Sequence, residues 1–370
     1  MFIKGSKKIL YVINNLDTGG AERLLVEILP RLKRADLKVD VLILNSTNFP
    51  LLRELRENQA VTVLTIGNHS LYNPILILKL APIFKRYMIV HVHLFPSLYW
   101  VAIAKIVSFS KTILVYTEHS TTNRRRNHSI LKWVDRIIYR QYLKIVTVST
   151  EVKFGLIKHL KMKSSRFVTI PNGIDLQKFQ DAIAFDRSNF TNDDNEKIII
   201  QVSRFTSQKD QETVIRALPF INKPIRLLLV GKGEGMEELK ILVDSLELSE
   251  KVFFLGIRTD VPNLLKMADV AVLSSHYEGL SLSGFEAMAS GTPLVASNVP
   301  GLSNLVFGAG ALFIHRDETD LACEINRLLE DTGYYAEMVN KCIERAKKYS
   351  IEKMVMHHLI LYRHLWNEKF

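Results

Sequence analysis

Cysteine is nearly missing from this chain of 370 residues: there are two, Cys323 and Cys342, both in helix-patterned sequence towards the C-terminus. That excludes a disulfide framework and a CxxC metal site, and it suits a reducing cytoplasm. Long apolar runs are lacking as well. The nearest candidate, SLYWVAIAKIVSF, falls short of the roughly 20 apolar residues a spanning helix needs, and Lys105 interrupts it. The run ILYVIN behind Lys7 and Lys8 is too short for the core of a secretory signal and has no small-residue cleavage site after it. No GxxxxGK[ST] phosphate loop, GxGxxG fingerprint, zinc-finger spacing, short repeat or low-complexity segment occurs.

What is present is an ordinary globular composition, 47% hydrophobic and 24% charged, with length for two domains. The charge is unevenly divided. Residues 1–175 carry 27 Lys+Arg against 11 Asp+Glu, net +16, whereas the remainder carries 22 against 27. Basic residues concentrate further in NRRRN (123–127) and KHLKMKSSR (158–166). Such runs are solvated surface, or they attract an anionic membrane face, where each basic residue contributes on the order of 1 kcal/mol. Nucleic acid is not expected as a partner, because no aromatic-rich basic strand or recognition helix accompanies the charge.

Short β-branched runs alternate with amphipathic stretches almost from end to end. The first series of strands is expected at 8–14, 38–44, 61–66, 88–93, 112–118, 144–149 and 167–170. A polar interval with the turn cluster TNDDN follows, and a second series is expected at 197–203, 225–231, 251–256, 270–275, 293–297 and 311–314. After residue 315 only helical periodicity remains. Two such series predict an α/β protein of two doubly wound, Rossmann-like parallel-sheet domains, 1–175 and 176–350, with a closing helix at about 351–370 returning to the first domain. Ligand is then expected outside the carboxyl ends of the strands, in the crevice between the domains.

The strand ends carry the chemistry. Gly19 and Gly20 in NNLDTGGAERLL make a strand-to-helix turn that is either a plain tight turn or a backbone approach to an anion. His91 and His93 in VHVH point the same way; without a third ligand at metal spacing they suit structure or a sugar hydroxyl, as does His119 on the next strand. Arg204 and Lys209 at the first strand end of the second series form a possible diphosphate clamp. Gly231, Gly233 and Gly235 form a further turn, and Arg258 after Gly256 is placed to read a nucleobase edge. In SSHYEGLSLSGFEAMASG, Glu278 falls on a loop and Glu286 in the following helix, whose start near Ser281, Leu282 and Ser283 offers amides to an anion. A carboxylate on either side of a bound phosphate would hold neutral hydroxyls such as a sugar diol.

Taken in order, NNLDTGGAERLL, VHVH, VTVSTEVK, IPNGID, SRFTSQKD, LLLVGKGEG and YEGLSLSGFEAMASGTPLVASNVPG resemble the GT-B glycosyltransferases, specifically the retaining family 4 type that builds bacterial surface polysaccharides. The resemblance covers nearly the whole chain. It implies that Glu286 holds the nucleotide ribose, that Glu278 lies near the donor hexose, and that Arg204 and Lys209 bind the departing diphosphate. By the same resemblance Gly19 and Gly20 lie by the phosphates and His93 faces the transferred sugar. It implies no metal and no cofactor, a nucleotide diphosphate sugar, UDP-linked by default, as donor, and a lipid-linked saccharide as acceptor. The expected place is the cytoplasm, peripheral at the inner face of the plasma membrane. Many members have EGFGLP where this chain has EGLSLS, so Ser281 replaces a glycine and Ser283 a proline. A nucleotide-sugar 2-epimerase of the same fold and a non-catalytic basic binding protein are the alternatives.

Overall fold

The structure is a computed structural model describing residues 8–367 except 18, 36, 60 and 121–127. The chain divides into two compact units, Met1–Gly173 with Ile351–Phe370, and Ile174–Ser350.

Unit 1 holds strands β1 (Lys8–Ile13), β2 (Lys38–Ile43), β3 (Thr62–Thr65), β4 (Ile89–His93), β5 (Ile113–Glu118), β6 (Lys144–Thr147) and β7 (Phe167–Thr169). Its helices are α1 (Gly20–Arg34), α2 (Pro50–Glu57), α3 (Ile75–Leu80), α4 (Ser97–Val107), α5 (Ser129–Tyr139) and α6 (Thr150–Leu160). All strand pairs are parallel, in the order β3-β2-β1-β4-β5-β6-β7. The inner strands are mainly apolar because helices cover both faces: Ile9 through Ile13 are fully buried, and so are Ile89, Val90 and Val92, with His91 between them. Connections run outward from β1 in one direction and from β4 in the other. Right-handed crossovers therefore put α1 and α2 on one face and α4, α5 and α6 on the opposite one, where α3 packs beside α4.

Unit 2 opens with α7 (Leu176–Gln180) and holds β8 (Lys197–Val202), β9 (Ile225–Val230), β10 (Val252–Gly256), β11 (Val270–Leu273), β12 (Leu294–Ser297) and β13 (Ala311–Phe313). Between and after them lie α8 (Gln211–Ala217), α9 (Met236–Ser245), α10 (Val261–Met267), α11 (Leu282–Ser290), α12 (Ser303–Val306), α13 (Glu318–Glu330) and α14 (Thr332–Lys347). The sheet is again wholly parallel, ordered β10-β9-β8-β11-β12-β13. Strand alternation divides its apolar residues between two cores. Ile198 and Ile200 join Leu228, Phe285 and Met288 on one face, while Ile199 joins Leu227, Leu229, Phe313 and Leu321 on the other.

The last helix, α15 (Ile351–Asn367), belongs to unit 1 and packs on α1. In each unit the strand order reverses at the first strand, beside β4 in one and beside β11 in the other. That reversal leaves a crevice at the carboxyl ends, where diverging loops make room for a ligand.

Candidate functional site

In unit 2 the reversal point brings the loop after β8 against the loop after β11. The hydroxyl of Ser274 donates to the carbonyls of Asp210 at 2.6 Å and Lys209 at 3.0 Å, Gln208 Nε2 donates to the Tyr277 carbonyl at 2.8 Å, and the His276 amide donates to the Gln208 carbonyl at 2.8 Å. Laced together in this way, the loops place the Lys209 ammonium on the Glu278 carboxylate, to which Ser275 Oγ also donates at 2.7 Å. Glu278 is 7% exposed and its cation is largely buried with it, which removes water from the pair and fixes both groups. Its backbone is fixed as well: the amide reaches the Pro300 carbonyl at 3.2 Å, and a Cβ on Gly301 would lie 2.2 Å from the Glu278 carbonyl oxygen. Arg204 stands exposed at the β8 end, its side chain making no hydrogen bond or ion pair among the described residues.

The helix behind Glu278 begins at Leu282, capped by Ser281, whose hydroxyl accepts from the Gly284 amide at 3.4 Å and lies 3.3 Å from Ser283 Oγ. The serine at the position expected for a glycine is thus a buried N-cap. Leu282 and Ser283 supply the other first-turn amides at the positive end of the dipole, and Glu286 sits half-buried a turn further on.

Two further residues expected at the donor have close partners within unit 2. The Arg258 guanidinium forms a two-pronged pair with Asp260, at 2.8 and 2.5 Å, and lies over the Phe185 ring. That pairing raises the arginine's pKa and lowers the carboxylate's. Gly231 (φ +141°) holds two loops together, since a Cβ there would meet the Ser203 carbonyl oxygen at 2.0 Å. Gly233 does the same against Phe205 at 2.1 Å.

A neighbouring group was not foreseen from the sequence: Asp210, His276 and His315 bring ligand-capable atoms within 4.8 Å of one another. Arg316 Nη2 lies 3.2 Å from His276 Nε2, which makes that nitrogen the acceptor and leaves the proton on Nδ1, 2.8 Å from His315 Nε2. Asp210 Oδ2 stands 3.6 Å from that same Nδ1, a charge neighbour and not a hydrogen-bond partner. Burial depresses the His276 pKa and raises that of Asp210.

Unit 1 collects histidines at its own reversal point. His93 ends β4, is 4% exposed, stacks on His91 and Tyr11, and lies 3.1 Å through Nδ1 from His119 Nε2. Its Nε2 is buried and makes no hydrogen bond among the described residues. His91 is structural: Nδ1 meets Tyr362 Oη at 2.5 Å, Nε2 meets Thr117 Oγ1 at 2.7 Å, and Tyr362 also bonds to Tyr11. Burial holds the pKa of His91 and of His93 well below the ordinary value and lowers those of His119 and His358 to about 4, so all four rings are neutral at pH 7. Tyr11, His358 and Tyr362 escaped sequence reasoning, since nothing local marks α15 as the partner of β1 and β4. Gly19 is the N-cap of α1 with an ordinary φ of −78°, and a Cβ there would meet only the carboxylate end of the Glu22 side chain, at 2.1 Å, which can swing aside. Gly20 is the exposed first residue of that helix. The NRRRN run lies outside the described residues.

Comparison with known proteins places two family descriptions end to end on the chain: Glycosyltransferase Family 4 over residues 18–178 and Glycosyl transferases group 1 over residues 182–349. An uncharacterised glycosyltransferase of Methanocaldococcus jannaschii is 34% identical over 221 residues, 56% of this chain and 55% of that protein. The UDP-Gal:alpha-D-GlcNAc-diphosphoundecaprenol alpha-1,3-galactosyltransferase of Escherichia coli is 32% identical over 212 residues, 52% and 53% of the two chains. The chain therefore spans about half the length of these curated relatives. Among solved structures, Anabaena HepE in complex with UDP and glucose superposes with a TM-score of 0.83 over 96% of this chain and 99% of that one, at 21% identity. The shared architecture is GT-B.

Proposed function

The chain belongs to the glycosyltransferases of the family 4 type, and from that membership we propose that it moves a hexose from a nucleotide diphosphate sugar to a saccharide hydroxyl with retention at the anomeric carbon. The observation that carries the reading is the buried Lys209–Glu278 pair at the joined ends of β8 and β11, followed at once by the capped start of α11 with Glu286 on it. On this reading α11 amides and Arg204 face the diphosphate, Glu286 holds the ribose hydroxyls and Glu278 a hydroxyl of the hexose. An ammonium has three donors, so Lys209 can keep Glu278 and take a phosphate oxygen at once. On this reading, as the sugar bond breaks, negative charge gathers on the leaving phosphate and is met by Arg204, Lys209 and the α11 amides without further reorganisation. For unit 1 the proposal rests on the family resemblance alone, which assigns a sugar contact to His93, an acceptor contact to His119 and a phosphate contact to Gly19 and Gly20.

No metal is required on this reading, because arginine, lysine and helix amides supply the positive potential. UDP is favoured by the donor named for the Escherichia coli relative, whose printed acceptor is also a lipid diphosphate-linked sugar. A surface polysaccharide role and attraction of the basic first unit to an anionic leaflet follow from the same choice.

The test incubates the protein with UDP-, GDP- and ADP-hexoses, with and without an undecaprenyl diphosphate-linked saccharide, in the presence of EDTA. Transfer from one nucleotide class, with the product in the donor's anomeric configuration, is expected. An epimerised donor formed without acceptor, or an absolute need for a divalent ion, would overturn the proposal.

A further inference from the structure

Exposed apolar side chains are distributed over unit 1 in a way that its fold does not require. No large apolar side chain among the described residues of α1 and α2 is exposed, and α15, packed on α1, exposes Met356 and Ile360, whereas the opposite helix layer exposes Ile75, Leu78, Ile106, Ile130, Trp133 and Phe154 among others. Charge follows the same division. Residues 67–166, which include that layer, carry 17 Lys+Arg and only three Asp+Glu. Two of those acids are buried and used internally. Glu118 accepts from Tyr139 Oη at 2.9 Å, and Asp135 accepts from Tyr99 and from His159 Nε2 at 2.9 Å. The third, Glu151, lies in the first turn of α6. Against 17 basic residues the layer is still strongly cationic as well as apolar.

Topology narrows the location. Strands of this sheet run parallel and each helix returns against them, so the first turns of α5 and α6 lie at the carboxyl edge, the edge that carries His93 and His119. There Ile130 and Trp133, one helical turn apart on α5, are 78% and 64% exposed, and Phe154 on the adjoining α6 is 64% exposed. Lys132 and Lys153 sit directly beside them in sequence, and the NRRRN run precedes α5. A tryptophan and apolar side chains carried in a strongly basic stretch of sequence match the boundary between headgroups and acyl chains of an anionic bilayer, in which rings enter and ammonium groups stay at the phosphates.

We propose that the amino-terminal turns of α5 and α6 form a membrane-contact surface, with Ile130, Trp133 and Phe154 entering an anionic leaflet. This deepens the attraction of unit 1 to such a leaflet and rests on that reading. A lipid-linked acceptor would then arrive at the same edge as His93, its lipid remaining in the bilayer.

The experiment is co-sedimentation with vesicles of phosphatidylglycerol and phosphatidylethanolamine, against vesicles of phosphatidylcholine alone. It compares the full chain, an Ile130→Ser/Trp133→Ser double variant, and Phe109→Ser. Phe109 is 92% exposed but follows α4 at the opposite edge of the sheet. Binding to the anionic vesicles alone, at least about tenfold weaker in the double variant and unchanged in Phe109→Ser, is expected from the apolar area withdrawn. Unaltered thermal unfolding and UDP binding in the double variant show that the fold and the donor site are intact. Anionic binding untouched by the double variant would leave charge attraction standing and overturn the inserted surface. No binding would overturn both. Self-association abolished by the double variant, seen by sedimentation velocity without lipid, would assign the patch to a second copy of the chain instead.

Discussion

Acid should unfold unit 1 through its buried histidines, and His358 allows the magnitude to be worked. Its ring is 1% exposed, its Nδ1 lies 2.9 Å from the Met354 carbonyl oxygen, and burial lowers its pKa from 6.5 to about 4. The unfolded chain therefore takes up a proton that the folded ring refuses. Stability is complete above pH 6.5, falls as pH drops through 6.5, and stops falling below about 4. At pH 5 the loss from this group is about 2 kcal/mol relative to pH 7.5. His91 and His93, buried beside it with pKa values displaced in the same direction, add to that loss. All three tryptophans, Trp100, Trp133 and Trp366, lie in unit 1, so their fluorescence in a urea titration of the whole chain reports that unit. With a slope of about 2 kcal/mol per molar urea, the midpoint should fall by at least about 1 M between pH 7.5 and 5. His358→Leu should flatten that dependence, both by removing its own titration and by relieving the repulsion it exerts on the other rings. Equal pH dependence in the variant and the wild type would refute the reasoning.

Three further outcomes follow from contacts in unit 2. Lys209→Met leaves Glu278 buried without its cation and should destabilise the unit by about 3 kcal/mol in calorimetry, with much of the loss recovered in Lys209→Met/Glu278→Gln. Gly231→Ala drives a Cβ to 2.0 Å from the Ser203 carbonyl oxygen and should cost more than about 2 kcal/mol, whereas Gly256→Ala, with nothing within 4 Å, should cost only about 1 kcal/mol for its positive φ. Ellman's reagent should label one thiol of the native protein, exposed Cys323. Cys342 is buried against the Ala309 carbonyl with its pKa pushed up to about 11, and it should react only after unfolding.

The fold was legible because parallel strands covered on both faces must be short apolar runs, and thirteen of them stand out between amphipathic stretches. Glu278, Ser281 and Glu286 were legible for a related reason: strand, loop and helix start are contiguous in sequence, so spacing alone places the residues. Sequence could not show that Arg258 is held by Asp260 only two residues away, since the same RTD triplet would equally serve a free arginine facing a ligand. Nor could it show Gly231 as the joint of two loops, because the atoms that exclude a Cβ come from Ser203, on a different strand end. The His91–Tyr362–Tyr11 network depends on a pairing 351 residues apart, and only the packing of α15 on unit 1 brings it together.

The central claim is that the joined ends of β8 and β11, with the start of α11, hold a nucleoside diphosphate. Titration calorimetry of UDP, GDP and ADP against the wild type and against Glu286→Ala, in low and moderate salt, tests it most directly. One diphosphate, UDP, should bind, and loss of the Glu286 carboxylate should remove about tenfold or more of its affinity while thermal unfolding stays unchanged. Equal binding of all three with no effect of Glu286→Ala, or no binding at all, would contradict the account.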